Sequence, residues 1–534
     1  MPTLSWLTRE KDVKSADAVA YRLLERNDAL SFGDPASGNM LIQGDNLEAL
    51  KSLLPYYRGQ VKCIYIDPPY NTRSAFEHYD DNLEHSQWLA MIWPRLVLLR
   101  ELLAEDGVFM MSLNDDEVHY AKVICDEIFG RKSFVSELIW NYEGNTDNQA
   151  NIINYHEHIL VYSPAGDVPK PNVFDPNIDE SSKLFLPEIR NTIVKNGPKN
   201  PVSDIVLPAG FPCAFEAGML GKRGSNWPEF NPSPEAKDGK LVTPVTARSG
   251  WSSKKICEAF IRSGFAPVLD SKGQLTRFEL TKSGAIEAVK VREQEKGHFL
   301  SVLRGLGTTN QMRLLLESIG INFTFPKPVG LISYLIRAFS KGSDIVLDSF
   351  AGSGTTGHAV LEANALDGGA RRFLLIEHRV ETADRIAQPR LAAVISGKLN
   401  VEAEVSGGGF AFYRLGEAVF DETGAINPDI AFAPLAAHIW FAETGVPITG
   451  ANTGPFLGRH DSGGLALLYN GILGDKSVSG GNVLTRKTLG LIRASAGDFA
   501  GPMTVYGEAC RLSPETLKAE GIVFKQTPYD VRAR

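Results

Sequence analysis

Short apolar runs rich in β-branched and aromatic residues alternate with stretches of helical spacing over residues 39–165. Met40-Leu41-Ile42, Val61-Lys62-Cys63-Ile64-Tyr65-Ile66 and residues 107–112 and 159–162 read as strands, and 134–140 as an extended stretch. Residues 47–54, 88–103 and 116–129 read as the helices between them. The alternation returns over 306–395, with a helix at 329–339 and a strand at Ile345-Val346-Leu347. A helix opens at Thr355, with Ala359, Val360 and Leu361 at helical spacing, and a strand follows at 372–376. Strands alternating with helices predict an α/β fold with a mostly parallel, doubly wound sheet.

The remaining segments differ in texture. Residues 1–38 read as an N-terminal extension that enters the first domain through Gly33-Asp34-Pro35-Ala36-Ser37-Gly38. Residues 166–305 are frequent in proline and weak in periodicity, with aromatic and basic residues interleaved at Lys222, Arg223, Trp227, Trp251, Lys254 and Lys255. That segment separates the two alternating stretches. Residues 396–534 predict a small α/β module with strands at 465–469, 503–506 and 522–524 and a helix capped by Ser513. It shows no catalytic constellation, so docking of a partner is its expected role.

Composition is that of an ordinary globular protein: 534 residues, 43% hydrophobic and 22% charged. A net charge of −8 does not advertise a nucleic-acid binder, but phosphate contacts are local, so basic residues are expected to cluster on one face. Cys63, Cys125, Cys213, Cys257 and Cys510 show no C-x-x-C spacing. That predicts a reducing compartment, with neither a disulfide frame nor a zinc site. No signal peptide or apolar run of about 18 residues is evident, which gives a cytoplasmic expectation.

Two motifs carry chemistry. Asp67-Pro68-Pro69-Tyr70 ends the 61–66 strand, and its prolines fix the backbone beyond it. A rigid carboxylate, the Pro68 carbonyl and a tyrosine ring form a site for a planar ring bearing an exocyclic amine. The two acceptors take the amine protons while the ring stacks, as for a nucleobase flipped out of a duplex. The second motif, Asp348-Ser349-Phe350-Ala351-Gly352-Ser353-Gly354-Thr355, is a glycine turn between strand and helix. Glu377 follows Gly357 by twenty residues, so Gly352, Gly354, Gly357 and this acid satisfy a dinucleotide-binding spacing. A dehydrogenase has no use for the first motif, and a nucleotidase phosphate loop is excluded because no Gly-Lys-Ser/Thr follows. S-adenosylmethionine, whose ribose suits a carboxylate and whose tail lacks phosphate, fits both motifs. Together they point to methyl transfer onto an amino group.

With these motifs in place, the chain resembles the DNA amino-methyltransferases of the permuted beta class. More closely, it resembles the modification subunits of type III restriction–modification systems. Matching stretches include Gly44-Asp45-Asn46, Asp67 to Thr72, residues 76–80, 88–103, 112–115 and 128–130, Tyr155-His156-Glu157-His158, and Phe325-Pro326-Lys327-Pro328. The resemblance implies a circularly permuted, Rossmann-like methyltransferase fold with a target-recognition domain in 166–305. It implies S-adenosylmethionine as cofactor, double-stranded DNA as substrate, a homodimer, and a helicase–nuclease restriction subunit as partner. Adenine N6 is the expected target, since Asp rather than Ser precedes the prolines. Cytosine N4, RNA as substrate, and a non-catalytic targeting subunit stand as alternatives.

Roles follow. Asp67 and Pro68 would accept the amine protons, Pro69 would hold the turn, and Tyr70 would stack. Phe350, Gly352, Gly354 and Thr355 would shape the cofactor cleft and Glu377 would bind the ribose. Asp348 either meets the cofactor's ammonium or caps the turn. Asp45 either contacts the adenine edge or caps a helix. Lys327 lies in a motif similar to the family's cofactor-side one, or is a helix-entry residue. Phe76, Tyr79 and Asp80 would border the target pocket. His156 and His158 read as structural, because no partner cluster accompanies them in sequence.

Overall fold

The computed structural model describes residues 3–34, 37–71, 85–142, 154–169, 171, 173–179, 181–182, 185–220, 228–291, 297–401, 403, 405, 408–419, 426, 430–445, 448, 454–469 and 481–527. These divide into two compact units, residues 178–296 and the rest. Phe76, Tyr79, Asp80, Lys222, Arg223 and Trp227 lie outside the described residues.

The larger unit is built on a ten-stranded sheet. In chain order its strands are β1 (Arg22–Gly33), β2 (Met40–Gln43), β3 (Val61–Ile66), β4 (Leu103–Leu113), β5 (Phe134–Asn141), β6 (His156–Tyr162), β7 (Val302–Leu303), β8 (Ile345–Asp348), β9 (Arg372–Glu377) and β10 (Gly409–Ala418). Their spatial order is β1-β10-β2-β9-β8-β3-β4-β6-β5-β7. The central run from β10 to β4 is parallel throughout. Such a sheet is covered on both faces, and the buried parts of its strands are accordingly near-continuous apolar runs, as at 63–66, 108–111, 345–347 and 373–376. Alternation then sorts the side chains: Ile64, Ile66, Leu347 and Ile376 enter one core, and Cys63, Tyr65, Val346 and Leu375 the other. This is the doubly wound α/β fold expected from the pattern.

The placement of β8 and β9 between β2 and β3 completes the sheet from the two halves of the sequence. Val61 pairs with Ile345 and Ile64 with Leu347, so the Asp67 and Asp348 strand ends are neighbours. Crevices beyond the carboxyl ends of such strands are where open α/β sheets bind ligands.

Two segments differ from the expected organisation. Residues 1–38 contribute a helix (Arg9–Ala18) and β1, and the strand β10 comes from the segment assigned to a C-terminal module. β1 pairs antiparallel with β10, so both belong to the main sheet. Beyond β10, a four-stranded sheet of Phe456–His460, Gly463–Leu467, Met503–Gly507 and Ile522–Gln526 has its own core around Leu468, Ile492 and Val505.

The unit at residues 178–296 packs the Lys254–Arg262 helix and short antiparallel strands around Phe211, Trp251, Phe260 and Phe278. No described helix is long and apolar enough to cross a membrane.

Candidate active site

The β3 strand delivers Asp67 to the sheet's carboxyl edge, and the two prolines prevent the chain from continuing as strand or entering a helix. Trp88, on the His85–Leu102 helix, donates its indole N–H to the Pro69 carbonyl at 2.8 Å and fixes the turn. Beside it, β8 delivers Asp348 and the glycine turn. A cavity of about 220 Å³ lies where the two turns meet. Asp67, Pro68, Pro69, Tyr70, Lys327, Asp348, Phe350, Gly352 and Thr355 line it, together with Glu157 and Phe325. Nine of the residues expected from sequence are thus on one wall or another of a single cavity.

Asp67 stands in a tight charged cluster. The Tyr70 hydroxyl lies 2.6 Å from Asp67 Oδ1 and 2.9 Å from Glu157 Oε2, and its one proton favours the nearer acceptor. Lys327 Nζ donates to Tyr70 Oη at 2.6 Å and to Glu157 Oε2 at 2.5 Å, and stands 3.4 Å from Asp67 Oδ1. The same ammonium sits 4.8 Å from the Tyr70 ring centroid, a cation–π contact. Burial pushes the Asp67 carboxyl up; Lys327 opposes that and Glu157 reinforces it, with a net upward shift. Burial would pull Lys327 down, but Asp67 and Glu157 outweigh it and hold the ammonium charged. Lys327 therefore lies against the aspartate of the first motif, while its carbonyl accepts from Thr355 Oγ1 of the glycine turn at 3.3 Å. Glu157 is a group the sequence reading did not single out. A lone carboxylate between two histidines at the start of an apolar strand was the available signal.

The glycine turn is held from beneath by buried polar side chains. Asp348 accepts from the Phe350 amide at 2.9 Å and the Thr356 hydroxyl at 2.5 Å, so it caps the turn while also lining the cavity. Burial raises its carboxyl to about 7. Glu377 accepts from the Gly352 amide at 2.8 Å and the Arg379 amide at 2.9 Å, and burial raises it to about 7 as well. Gly354 adopts φ +80°, a left-handed conformation that a side chain resists, and starts the Thr355–Asp367 helix. Arg390, fully buried, reaches the turn from behind and donates to Ser353 Oγ at 2.8 Å and Thr355 Oγ1 at 2.9 Å. Sequence reasoning did not flag it either.

Asp45 does not line the cavity. Its carboxylate caps the Asn46–Tyr57 helix, accepting from the Leu47 amide at 2.9 Å, and pairs with Arg95 at 3.2 Å. The cap is the reading its contacts support, although Gly44 N donates to the Glu377 carbonyl and so keeps Asp45 near that strand end.

The Mod subunit of the type III restriction–modification enzyme EcoPI of Escherichia phage P1 is 32% identical over 386 residues, 64% of this chain and 57% of that one. The EcoP15I Mod subunit of Escherichia coli is 28% identical over 413 residues, 65% and 60% of the two chains. The chain thus spans less than two thirds of the length of these relatives. The solved PvuII DNA methyltransferase, cytosine-N4-specific, aligns at 12% identity and a TM-score of 0.32, over 66% of this chain and 90% of that one. A family description reading "DNA methylase", the N6/N4 methyltransferases, matches residues 61–388, and with both motifs inside that span the chain belongs to the N6/N4 DNA methylase family.

Proposed function

We propose that this protein is an S-adenosylmethionine-dependent, site-specific DNA adenine-N6 methyltransferase, the modification and specificity subunit of a type III-like restriction–modification system. The observation that carries the reading is the meeting of Asp67-Pro68-Pro69-Tyr70 and the glycine turn in one cavity at adjacent strand ends. The residues suit the cofactor: a left-handed glycine turn leaves backbone free of side chains, and the carboxyl groups of Asp348, buried, and Asp67, partly exposed, favour a cationic ligand. Bound there, S-adenosylmethionine would supply a methyl group on a sulfonium.

The chain's own part is positioning and electrostatics. Asp67 and the Pro68 carbonyl accept the two protons of a flipped adenine's amine, which directs nitrogen electron density towards the methyl group. Asp67 takes up the proton the amine sheds. Lys327 favours the ionised form of that carboxylate against the pull of burial, and Tyr70 donates its hydroxyl proton to it. Double-stranded DNA is the substrate, read by residues 166–305. A homodimer and a separately encoded helicase–nuclease, which the family resemblance implies, complete the assembly. Five free thiols suit a reducing cytoplasm.

The test is mass spectrometry of nucleosides from unmodified bacterial DNA incubated with protein and S-adenosylmethionine, beside Asp67→Ala. N6-methyladenine from the wild type alone is the expected result. N4-methylcytosine would transfer the assignment to cytosine. DNA binding with no methylated base would mark a targeting subunit.

A further inference from the structure

The N-terminal end of β6 carries His156, Glu157 and His158 in succession, and strand alternation sends them to opposite faces. Glu157 points to Lys327 and Tyr70. The two histidines meet Asp115, which lies two residues beyond the end of β4 and is brought alongside by the Leu113–His158 pairing. We propose that Asp115, His156 and His158 form a binding site for a divalent transition-metal ion of the Zn²⁺ and Co²⁺ class.

The geometry is that of a site. His158 Nε2 lies 2.9 Å and His156 Nε2 3.7 Å from the same oxygen, Asp115 Oδ1. One donor atom from each of the three residues lies within 4.8 Å of the others. A tetrahedral ion with bonds of about 2.0–2.1 Å holds its donors about 3.3–3.4 Å apart, so the observed separations straddle what it needs. The surroundings fix the donors as metal ligands are usually fixed. Glu137 Oε1 stands 2.5 Å from His158 Nδ1; a proton held there leaves the Nε2 lone pair for the ion. Asn154 Nδ2 donates to Asp115 Oδ2 at 3.1 Å and turns Oδ1 towards the histidines. His158 is 10% exposed, His156 35% and Asp115 50%, so solvent supplies the open position. Two imidazoles and one carboxylate select a transition metal over Mg²⁺ or Ca²⁺, which prefer oxygen donors alone.

The ion ties the end of β4 to the start of β6, on the face of the strand opposite Glu157. It is invisible in the sequence because Asp115 precedes His158 by 43 residues, which made the histidines look partnerless. The inference does not depend on methyl transfer, and its test reads binding alone.

Tag-free, metal-stripped protein is titrated with Co²⁺, followed by Zn²⁺. One Co²⁺ per chain with visible d–d absorption is expected, displaced by Zn²⁺ and unmoved by excess Mg²⁺, with Zn²⁺ raising the thermal midpoint. His156→Gln and Asp115→Asn should abolish the absorption. Glu137→Gln keeps all three ligands and should weaken binding about 10–100-fold, which serves if a ligand variant does not fold. Absence of d–d absorption and of any thermal shift at saturating metal overturns the site. Absorption unchanged in the variants overturns it equally.

Discussion

A carboxylate that accepts an amine proton has to be ionised at the working pH, and the neighbours of Asp67 pull on it in opposite directions. Lys327, 3.4 Å away, favours the charged form, while burial and Glu157 favour the neutral one. The acid limb of the rate–pH profile follows the apparent pKa of this cluster. Removing Lys327 as Lys327→Met takes away the lowering influence, so the limb moves to higher pH, by about 1–3 units for a lost opposite charge at this range. Glu157→Gln removes a raising influence, and the limb moves to lower pH. Profiles of kcat/KM for DNA in the two variants check both signs. A Lys327→Met enzyme with an unmoved limb and a raised KM for S-adenosylmethionine would return Lys327 to the cofactor side. Asp67 and Tyr70 were legible in sequence because they share one turn. Their contact with Lys327 was not, since 257 residues separate Lys327 from Tyr70 and no local pattern reports such a pairing. Asp45 shows the converse, a position where the local one of its two readings, the helix cap, is what its contacts realise.

At the scale of elements, one glycine in the turn and one in the helix that it opens are needed for different reasons. Gly354 needs its left-handed φ of +80°, and a Cβ there would meet only ordinary contacts at Ala387, 3.4 Å away. Gly354→Ala should therefore cost about 1–2 kcal/mol of conformational strain and weaken cofactor binding with it. Gly357, inside the Thr355–Asp367 helix, has an ordinary φ, but a Cβ would come within 2.8 Å of Leu375 Cδ1 and Leu391 Cδ2. Gly357→Ala should cost about 1–3 kcal/mol by overpacking while leaving the turn and its ligand affinity intact. Urea unfolding and calorimetric titration with S-adenosylmethionine separate the two, and equal affinity losses would sink the distinction. The elements that build this site were readable because their patterns are strong: the 61–66 strand has its expected bounds, and the expected helix at 329–339 is Val329–Phe339. β1 was not readable. Arg22–Gly33 is mostly polar and half-exposed, and its ladder partner β10 lies at the other end of the chain, so nothing nearby marks it as a sheet strand.

For the whole molecule, the adjacency of β3 and β8 is the feature that assembles the site, and periodicity alone could not supply it. The strands are recognisable singly, but their order in the sheet came from the family resemblance. The 178–296 unit raises a separate question, because it has its own core around Phe211, Phe260 and Phe278. In the larger unit the chain on either side of it is already joined: the Asp175 amide donates to the His298 carbonyl at 2.8 Å, and Phe174 forms a bridge with His298. A short glycine–serine linker in place of residues 178–296 therefore spans the gap without opening the sheet. If that segment reads the target sequence, the shortened protein should unfold cooperatively and bind S-adenosylmethionine as the full chain does. It should lose discrimination between methylatable and unrelated duplexes at fixed salt, because phosphate contacts remain while base contacts are gone. Retained discrimination would place target reading on the larger unit. Lost cofactor binding would mean that the cavity at Asp67 and Gly352 needs the inserted segment for its shape, and the division of labour proposed for the chain would have to be redrawn.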